Sequence, residues 1–157
     1  MKTKEIFFAR ATRSAYYVLV LPHVVLATLF FITFCWKGGV EGIIAMWPVV
    51  VGFLSMGVGF FIWLKGMYLK ITDDRFIYRN GVYQTQSLFL DEISKITLGY
   101  EYFKNIGRKA SVPRYIVIPK DKSRNPIVIN IKPFSLEDLR KFYKVMENEI
   151  EKRKRSK

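Results

Sequence analysis

SAYYVLVLPHVVLATLFFITFCW at residues 14–36 and GIIAMWPVVVGFLSMGVGFFIWL at residues 42–64 are the two stretches that decide the fold. Each has 23 residues without a formal charge, long enough as a helix to cross a hydrocarbon layer of about 30 Å. Neither carries the regularly spaced charges that mark the solvent face of a helix in a soluble protein. The sequence therefore predicts a transmembrane hairpin, with spans at residues 15–36 and 43–65 and a short outer loop at residues 37–42.

Basic residues flank these stretches unevenly. Four precede the first stretch, one lies in the connecting loop, and residues 65–157 hold 21 basic and 11 acidic residues, a net charge of +10. Lys and Arg near short loops are retained on the cytoplasmic side of a membrane. We therefore expect a two-pass protein with both termini in the cytoplasm. Residues 1–14, which combine basic residues with Ile6, Phe7 and Phe8, are expected to form a cytoplasmic lead-in along the inner interface.

The first stretch could be interpreted in other ways than as a simple membrane span. A cleaved signal peptide is disfavoured, because the apolar run exceeds that of a signal peptide and no small-x-small site follows it. Cys35 is the only cysteine, which excludes an internal disulfide framework. His23 follows Pro22 inside the span, where polar groups are costly and often functional. Because neither span offers an acidic partner, a structural or interfacial histidine is favoured over a proton relay.

Small residues in the second stretch are candidates for helix packing. Ser55 and Gly59 form a small-xxx-small pair, and Gly52 lies about one turn before them. Such a pair allows two helices to approach closely. The first span is the expected partner, and self-association or docking on another membrane protein is the alternative.

From residue 67 onward the hydrophobic residues alternate, as they do in half-buried strands. Asn80-Gly81 is a strong hairpin signal that favours a two-residue type I′ turn. Near the C-terminus the period returns to that of a helix, and Ser135 begins a capping-box pattern that predicts a helix at residues 135–152. The predicted strands are residues 67–72, 75–79, 82–86, 93–100, 112–118 and 127–132. The predicted helix face consists of Leu136, Leu139, Phe142, Tyr143, Met146 and Ile150.

These elements predict an α+β protein, in which an N-terminal transmembrane helical hairpin is followed by a small antiparallel β domain capped by a C-terminal helix. YLKITDDRFIYRNGVY at residues 68–83 and LFLDEISKI at residues 88–96 combine strand, turn, strand, glycine hairpin and an L-x-x-I-x-x-I run. Behind a membrane hairpin, this order resembles the membrane-anchored bacterial pleckstrin-homology-like (PH-like) proteins. The resemblance implies a PH-like domain at residues 67–157 in a protein of the bacterial inner membrane.

A PH-like domain normally has seven strands and a capping helix, and the pattern predicts six or seven here. Residues 88–90 are the candidate for the seventh strand. PH domains that bind phosphoinositides place basic residues in the first hairpin loop, whereas this loop is Thr72-Asp73-Asp74-Arg75. Headgroup binding by that loop is therefore not carried over.

The sequence offers no nucleophile-base pair, metal-ligand cluster or nucleotide-binding glycine spacing, so we predict a non-enzymatic protein without catalytic residues, cofactor or metal. Its basic residues lie in two predicted loops and at the C-terminus, where anionic lipid is the nearest acidic partner and a merely solvated surface is the alternative. Nucleic acid is not expected, because no aromatic-basic binding motif accompanies the charge. The candidate contacts are Lys104, Arg108, Lys109, Arg114, Lys120, Lys122, Arg124, Lys152, Arg153, Lys154 and Arg155.

The expected function is that of an interaction module, an adaptor or accessory subunit that binds another membrane protein. A module that binds an anionic lipid surface is the first alternative. A small transport or channel subunit that uses His23 is the second.

Overall fold

A computed structural model gives an α+β protein with a helical hairpin, two antiparallel sheets and a C-terminal helix. It describes residues 4–82, 84–105 and 108–155, and the side chains of these residues apart from residue 43 and residues 101–111. The predicted fold class is confirmed at this level. In chain order the elements are β1 (Glu5–Arg10), α1 (Arg13–Leu19), α2 (Leu21–Lys65), β2 (Tyr68–Thr72), β3 (Arg75–Asn80), β4 (Gln84–Phe89), β5 (Ile93–Asn105), β6 (Arg108–Pro119), β7 (Ile127–Asn130) and α3 (Leu136–Arg155).

Helices α1 and α2 form an antiparallel hairpin that reverses at Gly39. Gly39 has a φ of 56°, a left-handed conformation that glycine adopts without steric cost, and it alone within α2 has non-helical backbone angles. The reversal is therefore tighter than the six-residue loop expected at residues 37–42. The segments Arg13–Gly42 and Ile44–Lys65 are both long and apolar enough to cross a membrane.

The outer surface of this hairpin is apolar and exposed. Only 6% and 11% of the most apolar windows of its two segments are buried, and large side chains such as Leu29, Ile32 and Met56 are more than half exposed. A core helix of a soluble protein would be mostly buried. The hairpin therefore needs non-aqueous surroundings or a covering partner.

Aromatic and small side chains hold together the two arms of the helical hairpin, which are the helical residues before and after Gly39. Buried Ala27 and Gly57 let the arms approach, and a β-carbon at Gly57 would lie 3.4 Å from that of His23. The contacts run along the whole hairpin and fix the register of its arms. Three ring pairs cross the interface, with centroid separations of 5.5 Å for Tyr16 and Phe61, 5.2 Å for His23 and Phe60, and 5.6 Å for Phe30 and Phe53.

Pro22, the second residue of α2, interrupts the helical hydrogen bonds where α1 meets α2. It has no N–H to donate, and the next amide, that of His23, bonds the Val20 carbonyl at 3.2 Å, three residues back instead of four. The Nδ1–H of His23 donates to the Leu19 carbonyl at 2.8 Å. The imidazole thus satisfies a carbonyl beside the proline break, which is a structural role.

The first sheet has the order β1-β2-β3-β4, so the segment before the helical hairpin supplies an edge strand. Strand β1 is antiparallel to β2, with Ala9 opposite Leu69 and Arg10 opposite Tyr68. The expectation that residues 1–14 form a separate lead-in is therefore wrong for β1, which belongs to the β domain. The helical hairpin is inserted between two neighbouring strands of one sheet.

Strands β3 and β4 form the hairpin predicted at Asn80 and Gly81, and Gly81 has a φ of 73°. Because Asn80 pairs with Gln84, three residues connect the strands instead of the two of a type I′ turn. Strand β4 leads into a 3-10 turn at Leu90–Glu92. Residues 88–90 therefore do not form a strand of their own, and the seventh described strand is β1.

The second sheet has the order β5-β6-β7. Strands β5 and β6 pair as far as Asn105 and Arg108, whereas β7 covers only residues 114–117 of β6. The outer part of this hairpin, residues 100–105 and 108–113, is thus a two-stranded ribbon, which we call the β5–β6 ribbon. Strands β5 and β6 extend beyond the predicted strand ends at residues 100 and 112, because the basic residues between those ends are typical of a loop.

One face of α3 closes the space between the sheets. The ring of Phe142, 0% exposed, has its centroid 5.8 Å from that of Phe7 and 5.6 Å from that of Phe76. The Oγ of Ser135 accepts a hydrogen bond from the Asp138 amide at 3.0 Å, which caps the helix. The predicted helix is confirmed and extends three residues further. Its buried residues are Leu139, Phe142, Met146 and Ile150.

Candidate functional site

The helical hairpin meets the β domain at a tight joint between the end of α2 and the β3–β4 turn. Gly66 follows α2, and a β-carbon there would lie 2.5 Å from the carbonyl oxygen of Gly81, closer than side-chain atoms can approach. A β-carbon at Gly81 would overlap the indole of Trp63. The turn that leads into β4 therefore lies directly on the last helical turn of α2.

Two further sets of hydrogen bonds fix this joint. The Thr12 amide donates to the Pro133 carbonyl at 2.7 Å, which ties the start of α1 to the loop before α3. The Arg79 guanidinium donates to the carbonyls of Gly81 at 3.0 Å and Val82 at 3.3 Å, which holds the β3–β4 turn closed. Strand β4 consequently begins at the base of the hairpin and runs away from it.

Strand β4 is an uncovered edge of the first sheet. Residues 84–87 are all exposed, and among the residues that the structure describes no strand pairs with the outer side of β4. The strand QTQSLF has no charge and no proline, and its pairing with β3 has no bulge. Charged residues, prolines and bulges are the features that usually block pairing at a sheet edge, and β4 has none of them. An extended segment of another protein could therefore add to the sheet here.

The opposite edge, β1, does carry such features. Its pairing with β2 has a register shift between Glu5 and Phe7. Glu5 forms an ion pair with Lys70 at 2.9 Å, and Arg10 ends the strand. The two edges of one sheet thus differ, and β4 is the open one.

The basic residues that the sequence nominated lie at separate places, and several of them contact their own domain. Lys120, Arg124 and Arg153 lie near Asp73 and Glu92, at the end of the domain remote from the joint. These three side chains are therefore too far from the joint to contact a lipid surface that surrounds the helical hairpin. Arg114 donates to Asn130 Oδ1 at 2.6 Å, Lys120 to the Asp91 carbonyl, Arg124 to Glu92 at 2.8 Å, Arg153 to Glu149 and the Asp73 carbonyl, and Arg155 lies 3.7 Å from Glu151.

The remaining nominated residues divide between the surface and the β5–β6 ribbon. Lys122, Lys152 and Lys154 are exposed. The backbones of Lys104, Arg108 and Lys109 lie on the ribbon, and their side chains are outside the described part. Strand β7, antiparallel to β6, leads toward Pro133 at the joint, so the ribbon extends toward the hairpin side of the domain.

The small residues nominated for packing lie on the outside of the helical hairpin. A β-carbon at Gly52 or Gly59 would meet no atom within 4 Å, and Ser55 is exposed. The expectation that they pack on the first span is therefore wrong, and Gly57 is the glycine that faces His23. Docking of another helix on this outer face stays a prediction.

A polar network that sequence reasoning missed joins the two sheets. The hydroxyl oxygen of Tyr78, a residue only 1% exposed, accepts a hydrogen bond from the Asn130 amide at 3.1 Å. The Asn130 side chain in turn accepts from Arg114. Burial raises the pKa of the Tyr78 phenol, and the hydrogen bond from Asn130 opposes part of that rise. The network is structural, which explains why Arg114 is not simply a surface cation.

Replacing Tyr78 should reveal this network. We expect Tyr78→Phe to lower the free energy of unfolding by about 1 kcal/mol at neutral pH, because the Asn130 amide loses its acceptor. The raised pKa means that the folded state holds the phenolic proton more tightly, so stability falls as pH rises above about 10. Chemical unfolding at several pH values should show less alkaline destabilisation in Tyr78→Phe. The exposed Tyr100→Phe is the control, and equal alkaline loss in the two variants would contradict the assignment.

Other kinds of site have little support. Within residues 4–82, 84–105 and 108–155, no group of three or more His, Cys, Asp and Glu side chains is placed to hold a metal ion. Comparisons with protein-family models, with curated proteins and with solved structures found no match. The joint and the open edge of β4 are thus the features from which a function can be inferred.

Proposed function

We propose that this chain is a non-enzymatic interaction module of the bacterial inner membrane, an adaptor or accessory subunit of a membrane protein complex. The helical hairpin crosses the bilayer twice, and a PH-like domain is presented at the cytoplasmic face. The uncovered edge of β4 carries this proposal, because a partner segment in extended conformation can pair with it.

The charge distribution along the hairpin supports this orientation. Arg10, Arg13 and Lys65 lie at the end that joins the β domain, whereas Lys37 and Glu41 offset each other near the reversal. Basic residues are retained in the cytoplasm. The apolar, exposed surface between these ends suits a lipid environment.

The arrangement of the β domain supports a PH-like identity. Seven described strands form sheets of four and three, and a C-terminal helix closes the space between them. This is the strand count and capping helix that the resemblance implies. The first strand comes from the segment before the membrane hairpin, so the anchor is an insertion within the domain.

The position of β4 narrows the kind of partner. Its first residue, Gln84, follows closely on Gly81, which lies against Trp63 at the end of the second span. A segment paired with β4 would therefore run between the membrane surface and the far end of the domain. The partner that fits is the extended juxtamembrane segment of another membrane protein. Because residues 84–87 are polar and uncharged, backbone pairing supplies most of the recognition.

Site-specific photo-crosslinking in native membranes tests this function. A photoreactive residue at Gln86 should crosslink a membrane protein through its juxtamembrane segment, whereas the same residue at the exposed Asn148 on α3 should not. Lysines block edge pairing, so adding Gln84→Lys should reduce the crosslink at Gln86, and adding Asn148→Lys should not. A crosslink of equal yield from both positions, or one that is unchanged by Gln84→Lys, would contradict the proposal.

One observation favours a second candidate function, binding of an anionic lipid surface. The β5–β6 ribbon extends toward the hairpin side and carries Lys104, Arg108 and Lys109. Basic residues gain on the order of 1 kcal/mol each beside an anionic leaflet. In this case a photoreactive residue at Lys109 would crosslink anionic lipid, and the residue at Gln86 would crosslink no protein.

A further inference from the structure

The helical hairpin has an apolar groove at the end that joins the β domain. The groove has a volume of about 320 Å³ and runs between the two arms. Its walls include Tyr16, Val20 and Val24 on the first arm and Phe61 on the second, and Arg13 lies at its domain end. The groove is thus apolar along its length and cationic at one end.

Other basic residues lie near Arg13 at this end of the helical hairpin, and no acidic residue of the hairpin does. Tyr16 contacts Phe61, so Arg13 and Lys65, each about one helical turn further on, lie at about the same level. Arg10 ends β1 just before them. No ion pair to Arg13 occurs among the residues that the structure describes, and the first turn of α1 has no acidic residue.

We propose that this groove is a specific binding site for an anionic phospholipid of the inner leaflet. The phosphate lies beside Arg13, and the upper part of one acyl chain lies along Tyr16, Val20, Val24 and Phe61. This inference rests on the membrane insertion in the proposed function, because insertion puts the end of the groove at headgroup depth. The basic loops of the domain take no part in it.

Size and charge favour a lipid over a protein helix. A helix with its side chains is about 10 Å or more across, whereas the groove has the volume of a small-ligand cleft. A cation at the headgroup end selects for a net negative charge, so phosphatidylglycerol should bind better than zwitterionic phosphatidylcholine. The binding free energy that one basic side chain contributes beside an anionic lipid corresponds to about a fivefold preference for phosphatidylglycerol over phosphatidylcholine.

Native mass spectrometry of the full-length chain, released from bilayers that hold both lipids, measures this preference. The wild type should retain phosphatidylglycerol over phosphatidylcholine, and Arg13→Gln should lower that preference about fivefold, while Arg13→Lys keeps most of it. Val24→Trp fills the groove and should lower retention of both lipids. Lys37→Gln removes one positive charge at the other end of the hairpin and should change nothing.

The outcomes separate the lipid site from the proposed function. Equal retention of the two lipids by the wild type, or an unchanged preference in Arg13→Gln, would overturn the lipid site. Alkaline carbonate extraction of each variant reports insertion independently. If carbonate releases the wild type from membranes, the proposed function fails as well; if the protein stays inserted and shows no lipid preference, only the lipid site fails.

Discussion

A chain that begins at Met67 should fail to form a stable β domain, although it contains six of the seven described strands. It lacks β1, which pairs with β2 and contributes the buried Ala9 to the core. It also lacks Phe7, whose ring packs on Phe142 at 5.8 Å. Loss of a core aromatic costs about 3–5 kcal/mol, and loss of the partly buried Phe7 together with Ala9 and the β1–β2 pairing should cost as much, which is close to the whole stability of a small domain.

The loss of β1 also predicts how folding can be restored in a chain that lacks the helical hairpin. Arg10 and Tyr68 are opposite each other, so residues 4–10 joined by a short Gly-Ser linker to residues 67–157 should give a soluble, folded domain. Dispersed amide resonances and a cooperative thermal transition would report folding. A matched control carries Ala9→Asp, which places a charge in the core and should abolish the rescue. A chain of residues 67–157 that melts at the same temperature as the linked form would refute the role of β1.

The position of the helical hairpin between β1 and β2 restricts how the hairpin can move relative to the β domain. Both helix ends at the joint continue into paired strands, since two residues separate β1 from α1 and two separate α2 from β2. The two arms of the helical hairpin therefore cannot separate at this end without breaking the pairing of β1 with β2. In the proposed function, a domain held in this way keeps the β4 edge at a fixed distance from the bilayer.

Substitution of Gly81 should have the second largest effect. Gly81→Ala forces a β-carbon into the Trp63 indole and places a non-glycine residue at a φ of 73°. Strain of this kind and overpacking together should lower the free energy of unfolding by about 2–4 kcal/mol. Thermal unfolding in a mild detergent would measure the loss.

Gly59→Ala is the matched control for this prediction. A β-carbon at Gly59 meets no atom within 4 Å, and alanine is the better helix former, so stability should stay equal or rise slightly. Combining Gly81→Ala with Trp63→Ala should remove the clash and leave the backbone strain. A Gly81→Ala protein as stable as Gly59→Ala would show that the joint is not packed as described.

Much of the fold follows from local patterns. The two apolar helices, six strands and the helix after Ser135 are each marked by a period or a cap within a short window, so the sequence predicted them. Strand β1 is not marked in this way, because Ile6, Phe7 and Phe8 are consecutive and Tyr68, the partner of Arg10, lies 58 residues further along the chain. The PH-like resemblance implies a seventh strand, for which the sequence pattern offers residues 88–90, whereas the seventh described strand is β1, which precedes the helical hairpin.

The candidate sites depended more on tertiary structure than on local pattern. The spacing of Gly52, Ser55 and Gly59 defines a helix face but not its direction, and in the structure that face points outward. The partners of Arg114 and Arg124 come from other strands and turns, so no sequence window could show that these charges are engaged. The open edge of β4 likewise became visible only with the sheet order.

Cysteine accessibility in intact bacterial cells tests the central claim most directly, namely that the hairpin crosses the membrane with the β domain inside. In a Cys35→Ser background, Gly38→Cys lies beside the reversal, and Ser123→Cys lies on an exposed loop of the domain. A membrane-impermeant maleimide should label Gly38→Cys in intact cells and Ser123→Cys only after permeabilisation. Labelling of Ser123→Cys in intact cells, or of Gly38→Cys only after permeabilisation, would contradict the account.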